Sequence, residues 1–140
     1  MSTSMSIDLT TLQPGDALPT LVRRIAQERI NDYAEASGDH NPIHLDPEFA
    51  KKTSLGGTVA HGMLVLAYVS ELMTAVFRES WTRGGRLTAR FKRAAYPGDT
   101  VTVTGTVTKA EGNRVTCDVQ VRNQKNEPVI LCEAAAEVKA

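Results

Sequence analysis

The last third of the chain alternates apolar and polar residues with a period of two. Val101, Val103, Gly105 and Val107 alternate with Thr102, Thr104, Thr106 and Thr108, and Val115, Cys117, Val119 and Val121 with Thr116, Asp118, Gln120 and Arg122. Leu87, Ala89 and Phe91 do the same, as do Ile130, Cys132, Ala134, Ala136 and Val138. Turns separate the runs at Tyr96-Pro97-Gly98-Asp99 and Glu111-Gly112-Asn113. This is the pattern of antiparallel strands with one covered and one wetter face. Upstream the period changes. Ile30, Tyr33, Ala34 and Ser37 share one face of a helix predicted over 27–37, which Gly38 ends. Residues 18–25 read as an extended edge strand. Asp46-Pro47 opens a short helix, with Asp46 as cap and Pro47 at the first helical position. Residues 51–59 and Arg83-Gly84-Gly85 read as loops.

Met63 to Phe77 is the most apolar helix, with almost no polar side. A helix apolar all round is expected to be buried all round. In one domain of 140 residues that implies a sheet wrapped about it. The layout is therefore α+β, a curved antiparallel sheet around a long central helix. Residues 1–11 read as a flexible leader and 12–140 as the single domain.

Composition excludes several classes. Sixteen basic and sixteen acidic residues give a formal net charge of zero, so nothing calls for nucleic acid or an anionic membrane. The apolar run from Met63 to Val69 is too short to span a bilayer, and the Ser/Thr-rich start has no apolar signal core. Cys117 and Cys132 lack metal-ligand spacing; they read as buried free thiols, with no metal expected and a reducing cytoplasm as the compartment.

The candidate chemistry lies in Ala36-Ser37-Gly38-Asp39-His40-Asn41-Pro42-Ile43-His44. A carboxylate and an imidazole stand five positions apart with an Asn-Pro turn between them. Gly38 permits a sharp change of direction, and Pro42 pushes Asn41 out of the helical region. Asp39 and His44 brought to one point could hold a water and move its protons. The plainer alternative is a polar turn that caps the preceding helix.

This run resembles the signature of the MaoC-like, (R)-specific enoyl-CoA hydratases: an aromatic near a helix end (Tyr33), then Ser-Gly-Asp-x-Asn-Pro-(aliphatic)-His over 37–44, then a short helix. A second block, Ala60-His61-Gly62-Met63, opens a long apolar helix containing Ser70. The resemblance runs from about Leu12 to Val138. It implies a hotdog fold, a homodimer, and hydration of a trans-2-enoyl-CoA to the (R)-3-hydroxyacyl-CoA with no cofactor, coenzyme A or an acyl carrier protein entering only as the carrier of the substrate.

The same resemblance implies that Asp39 and His44 share one water, and that the Gly62 amide donates to the thioester oxygen. Gly62 has a packing alternative, since a glycine there also lets the helix pack tightly. Asn41 either orients the pair or closes an Asx-turn. Ser70 either supports the substrate-binding network or is a small residue allowing close packing. His61 reads as structural. Leu66, Met73 and Phe77 read as core rather than an acyl tunnel. Arg90, Lys92 and Arg93 read by default as a solvated strand face; alternatively they could meet coenzyme A phosphates, and with Arg83 and Arg86 they could dock an acidic carrier. The competing functions are a (3R)-hydroxyacyl dehydratase acting on a carrier protein, a hotdog thioesterase, and a non-catalytic acyl-binding subunit.

Overall fold

A computed structural model describes residues 7–138. Residues 1–6 of the expected leader lie outside the described residues. Residues 7–11 do not trail loosely: Asp8 caps a 3-10 turn at Leu9–Thr11, accepting from the Thr10 amide, and Ile7 and Leu9 pack on the core. The order is then β1 (Leu21–Arg24), α1 (Gln27–Ser37), α2 (Pro42–Leu45), α3 (Pro47–Lys51), α4 (Gly62–Phe77), α5 (Glu79–Gly84), β2 (Arg86–Phe91), β3 (Thr100–Glu111), β4 (Arg114–Arg122) and β5 (Pro128–Glu137).

The strands form one antiparallel sheet in the order β1-β3-β4-β5-β2. The valines of β3 and β4 that alternate in the sequence are the ones that face inward: Val101, Val103, Val107, Val115, Val119 and Val121 are all buried. They meet Val69, Leu72, Met73, Val76 and Phe77 of α4 in one hydrophobic core. Removing a side chain of this size from water is worth roughly 1.5–3 kcal/mol, and the two faces together hold α4 against the sheet.

Two expectations need correction. The helix is not buried on every side: Met63 is 59% exposed, and Ala67, Glu71, Thr74 and Ala75 line the same outer strip. The sheet is open and covers one face of α4, and an all-apolar sequence cannot say which face that is. The stretch before Gly85 is also not simply loop, since Glu79–Gly84 forms α5. Its Trp81 indole donates to Ser70 Oγ on α4 at 2.9 Å.

Candidate active site

The candidate residues meet where α1, α2, the start of α4 and the ends of β2 and β5 converge. Gly38, in the left-handed conformation at φ 79°, ends α1 and sends its N–H to the Ala34 carbonyl. The chain turns, and Asn41 caps the single turn of α2: its Oδ1 accepts from the Ile43 amide at 3.1 Å. Asn41 is thus the Asx cap, and its own amide donates to Asp39 Oδ1 at 3.3 Å. Gln27 of α1 braces the turn from behind. Its Nε2 donates to the His44 carbonyl and its Oε1 accepts from Thr58 Oγ1, both at 2.9 Å.

His44 is 8% exposed. Its Nδ1 lies 2.8 Å from the Val59 carbonyl. A carbonyl only accepts, so Nδ1 carries the hydrogen and Nε2 presents a lone pair. That Nε2 stands 3.9 Å from Asp39 Oδ2, whose side chain is 54% exposed. The separation is too long for a direct hydrogen bond and suits one oxygen bonded to both at ~2.8 Å. His40, between them, turns away: its Nε2 meets Glu35 at 3.0 Å, and that hydrogen bond raises the pKa of His40.

His61 completes the cluster. It is 2% exposed, its ring stacks on His44 with centroids 3.8 Å apart and planes 26° apart, and its Nε2 lies 3.0 Å from the Asp39 carbonyl. Tyr33 leans on it at 4.8 Å. Ligand atoms of Asp39, His44 and His61 fall within 4.8 Å of one another. Distance alone would suit a metal, but the ring geometry does not. An ion sits in the plane of each imidazole at about 2.0–2.1 Å from nitrogen, and two rings stacked nearly parallel share no such point.

Beside His44 opens a cavity of about 380 Å³, lined by Ile43, Val59, Val65, Phe91, Val129 and Ile130 among others, and by Gly62 at the start of α4. Its volume is in the range of small-ligand sites. No side chain caps α4, while the Leu64 and Val65 amides turn in to the His61 carbonyl. The head of the helix, with Gly62 in the cavity lining, therefore presents amides that no side chain caps, with the helix dipole behind them. They are not in a dry setting within this chain, because Gly62 is exposed.

Lys92 and Arg93 line the cavity; Arg93 also pairs with Glu127 at 3.2 Å. Arg90 lines a separate hollow with Asp118 and Glu133, and Arg83 pairs with Glu79. Met73 and Phe77 are core, as expected, and the cavity is lined by other residues. Ser70 is not among the lining residues of the cavity; its hydroxyl is occupied by Trp81. Gln27 and His61 hold the site together; the structural reading of His61 did not extend to its contacts with Asp39 and His44, and Gln27 escaped the sequence reading. The adjacency of His61 to Gly62 was the available signal for one; nothing marks the other.

A profile of the MaoC-like domain matches residues 10–128. The chain belongs to the MaoC-like dehydratase domain family. Its fold is the hotdog fold of the R-hydratases. Over 94% of this chain and 86% of the other, it superposes on the unliganded R-hydratase PhaJ1 of Pseudomonas aeruginosa with a TM-score of 0.81 and 31% identity. The (R)-hydratase of A. caviae superposes over 92% and 98% at 0.80 and 26%. Among curated relatives, the peroxisomal enoyl-CoA hydratase 2 of Arabidopsis thaliana is 32% identical over 67% of this chain and 29% of its own length. The 3-hydroxyacyl-thioester dehydratase Z of Mycobacterium tuberculosis is 43% identical over 38% and 35%. The chain spans about a third of the length of these curated relatives. Among the described residues, no helix is long and apolar enough to cross a membrane.

Proposed function

We propose that this chain is a hydro-lyase that reversibly adds water to a trans-2-enoyl-CoA, giving the (R)-3-hydroxyacyl-CoA. One observation carries the reading: the Asp39 carboxylate and the His44 Nε2 lone pair are both acceptors and stand 3.9 Å apart. A water between them donates one hydrogen to each and turns an oxygen lone pair outward. That oxygen attacks C3 of the enoyl group. One water proton passes to the pair, the electrons of the double bond move toward the thioester oxygen, and the pair returns a proton to C2. Water and proton come from one side, so a single hydroxyl hand results. The thioester oxygen gains charge in the step, and the Gly62 amide at the head of α4 is the donor placed to stabilise it.

The pair needs no cofactor, and coenzyme A serves as the carrier of the substrate. Lys92 and Arg93 at the cavity suit the phosphate of a pantetheine arm. An acyl carrier protein presents the same arm. The mitochondrial 3-hydroxyacyl-[acyl-carrier-protein] dehydratase of A. thaliana, 41% identical over 49% of this chain and 40% of its own, supports that second carrier. The working unit is a cytoplasmic homodimer. The edge strand β2 and the exposed Phe91 and Met63 beside the cavity are the surfaces a second copy would cover.

The test is incubation with crotonyl-CoA, following loss of the enoyl thioester absorbance and then the chirality of the product. The (R) alcohol is expected. A predominantly (S) product, or release of free thiol without hydration, overturns the reading. Repeating the assay with the same acyl group on a carrier protein decides the carrier.

A further inference from the structure

His61 touches both members of the acid–base pair and is absent from the cavity lining. Its Nε2 faces the Asp39 main-chain carbonyl at 3.0 Å, and a carbonyl can only accept, so Nε2 carries the hydrogen. Its Nδ1 is buried and has no hydrogen-bond partner among the described residues. The geometry therefore selects the Nε2–H tautomer. A second proton would sit at Nδ1 with no acceptor and bring a cation face to face with His44. A phenylalanine would fill the same space without a buried orphan nitrogen, which costs stability. What histidine adds is the tie to Asp39.

We propose that His61 is the positioning residue of this site. Its N–H pins the Asp39 turn while its face seats the His44 ring, so one side chain fixes the distance across which the pair shares a water. Among the described residues no other side-chain hydrogen bond ties the Asp39 turn between α1 and α2 to this segment, and the His44 ring would otherwise be held by a single hydrogen bond to Val59. As the residue before Gly62, His61 also carries that spacing to the head of α4. The proposal rests on the hydration reading above.

Three variants separate the two contacts. His61→Phe keeps the ring face and removes the N–H; His61→Gln keeps an N–H at a similar reach and removes the ring; His61→Ala removes both. Each is measured by steady-state hydration of crotonyl-CoA and by thermal melting, beside the wild type. His61→Ala is expected to lower kcat by ~10- to 100-fold, the scale of a misplaced catalytic group, with KM changed less than about threefold. Phe and Gln should each recover part of that loss. A His61→Phe variant that melts like the wild type and turns over like it makes His61 plain packing and overturns the proposal, even if His61→Ala fails to fold. A rise in KM with kcat unchanged overturns it too, by moving His61 into substrate binding. The imidazole ¹⁵N spectrum of the wild type tests the tie without activity: His61 should appear as the Nε2–H tautomer and His44 as Nδ1–H, and the opposite form at His61 overturns the tie. A wild type that does not hydrate crotonyl-CoA defeats the hydration reading, and that spectrum still decides the geometry.

Discussion

The Phe91 ring lies against Gly62: a Cβ placed on Gly62 would stand 3.0 Å from Phe91 Cε1, 3.3 Å from Cδ1 and 3.6 Å from Cζ. Phe91 is 54% exposed, so its ring can yield to a single methyl group. Gly62→Ala should therefore fold and melt within a few degrees of the wild type. Gly62→Val cannot be absorbed this way, and its branches also cover the amide proposed to bind the thioester oxygen. Its turnover should fall by ~10²-fold or more, the effect of losing one oxyanion donor, with KM moving less. Adding Phe91→Ala should restore the melting temperature and leave turnover low. Turnover restored along with stability would show that the glycine serves packing alone.

The elements that could be read in advance are those with a local cause. The helix over 27–37 shows its buried face at Ile30 and Ala34 and its stop at Gly38. The period of two in β3 and β4 marks the inward residues, and Asp46-Pro47 marks α3 through its cap. What stayed hidden depends on partners distant in sequence. An unbroken apolar run such as Met63 to Phe77 has no polar side from which to infer its exposed strip. The six residues of α5 are too few to show a period. His61 is shaped by Asp39, 22 positions away, and by His44, and no spacing rule announces such a contact.

The anchor between Ser70 and Trp81 gives a prediction of stability. Ser70→Ala removes the acceptor of the indole N–H and should cost about 1 kcal/mol, read as a lower melting temperature. Trp81 is the only tryptophan in the chain, so its emission reports the change directly. Trp81→Phe loses the same bond, and some packing with it, and should lower the melting temperature at least as much. A higher KM in Ser70→Ala but not in Trp81→Phe would show that the serine reaches the substrate.

Both cysteines are buried free thiols, and burial pushes each up from 9.0 to about 11, with Asp118 adding to the effect at Cys132. The unfolded chain therefore loses these protons first as pH rises. Their contribution to stability is complete below about pH 9 and is lost between about 9 and 11. Melting temperature should fall across that window, and less so in Cys117→Ala measured against its own value at pH 8. In the native protein a thiol reagent at pH 8 should react with neither cysteine, and with both after unfolding in denaturant. Fast reaction before unfolding would contradict the burial.

Asp39 and His44 should behave as one unit. Asp39→Asn removes the charge and makes one end of the pair a hydrogen-bond donor, so a water held there can no longer give a hydrogen to each side. His44→Ala removes the other acceptor and leaves the Val59 carbonyl without its partner. Each change should lower hydration by ~10²–10⁴-fold, the range for losing a positioned proton-transfer group. Asp39 is half exposed, and among the described residues its side chain accepts one hydrogen bond, at Oδ1 from the Asn41 amide, so Asp39→Asn should melt close to the wild type. His44 is buried, and His44→Ala should lose some stability as well. Once one acceptor is gone the water is no longer oriented, and removing the second has little left to remove. The double variant should then be about as slow as the slower single one, far from the product of the two effects. Rates that multiply would mean that the two residues act in separate steps, and the shared water would be wrong.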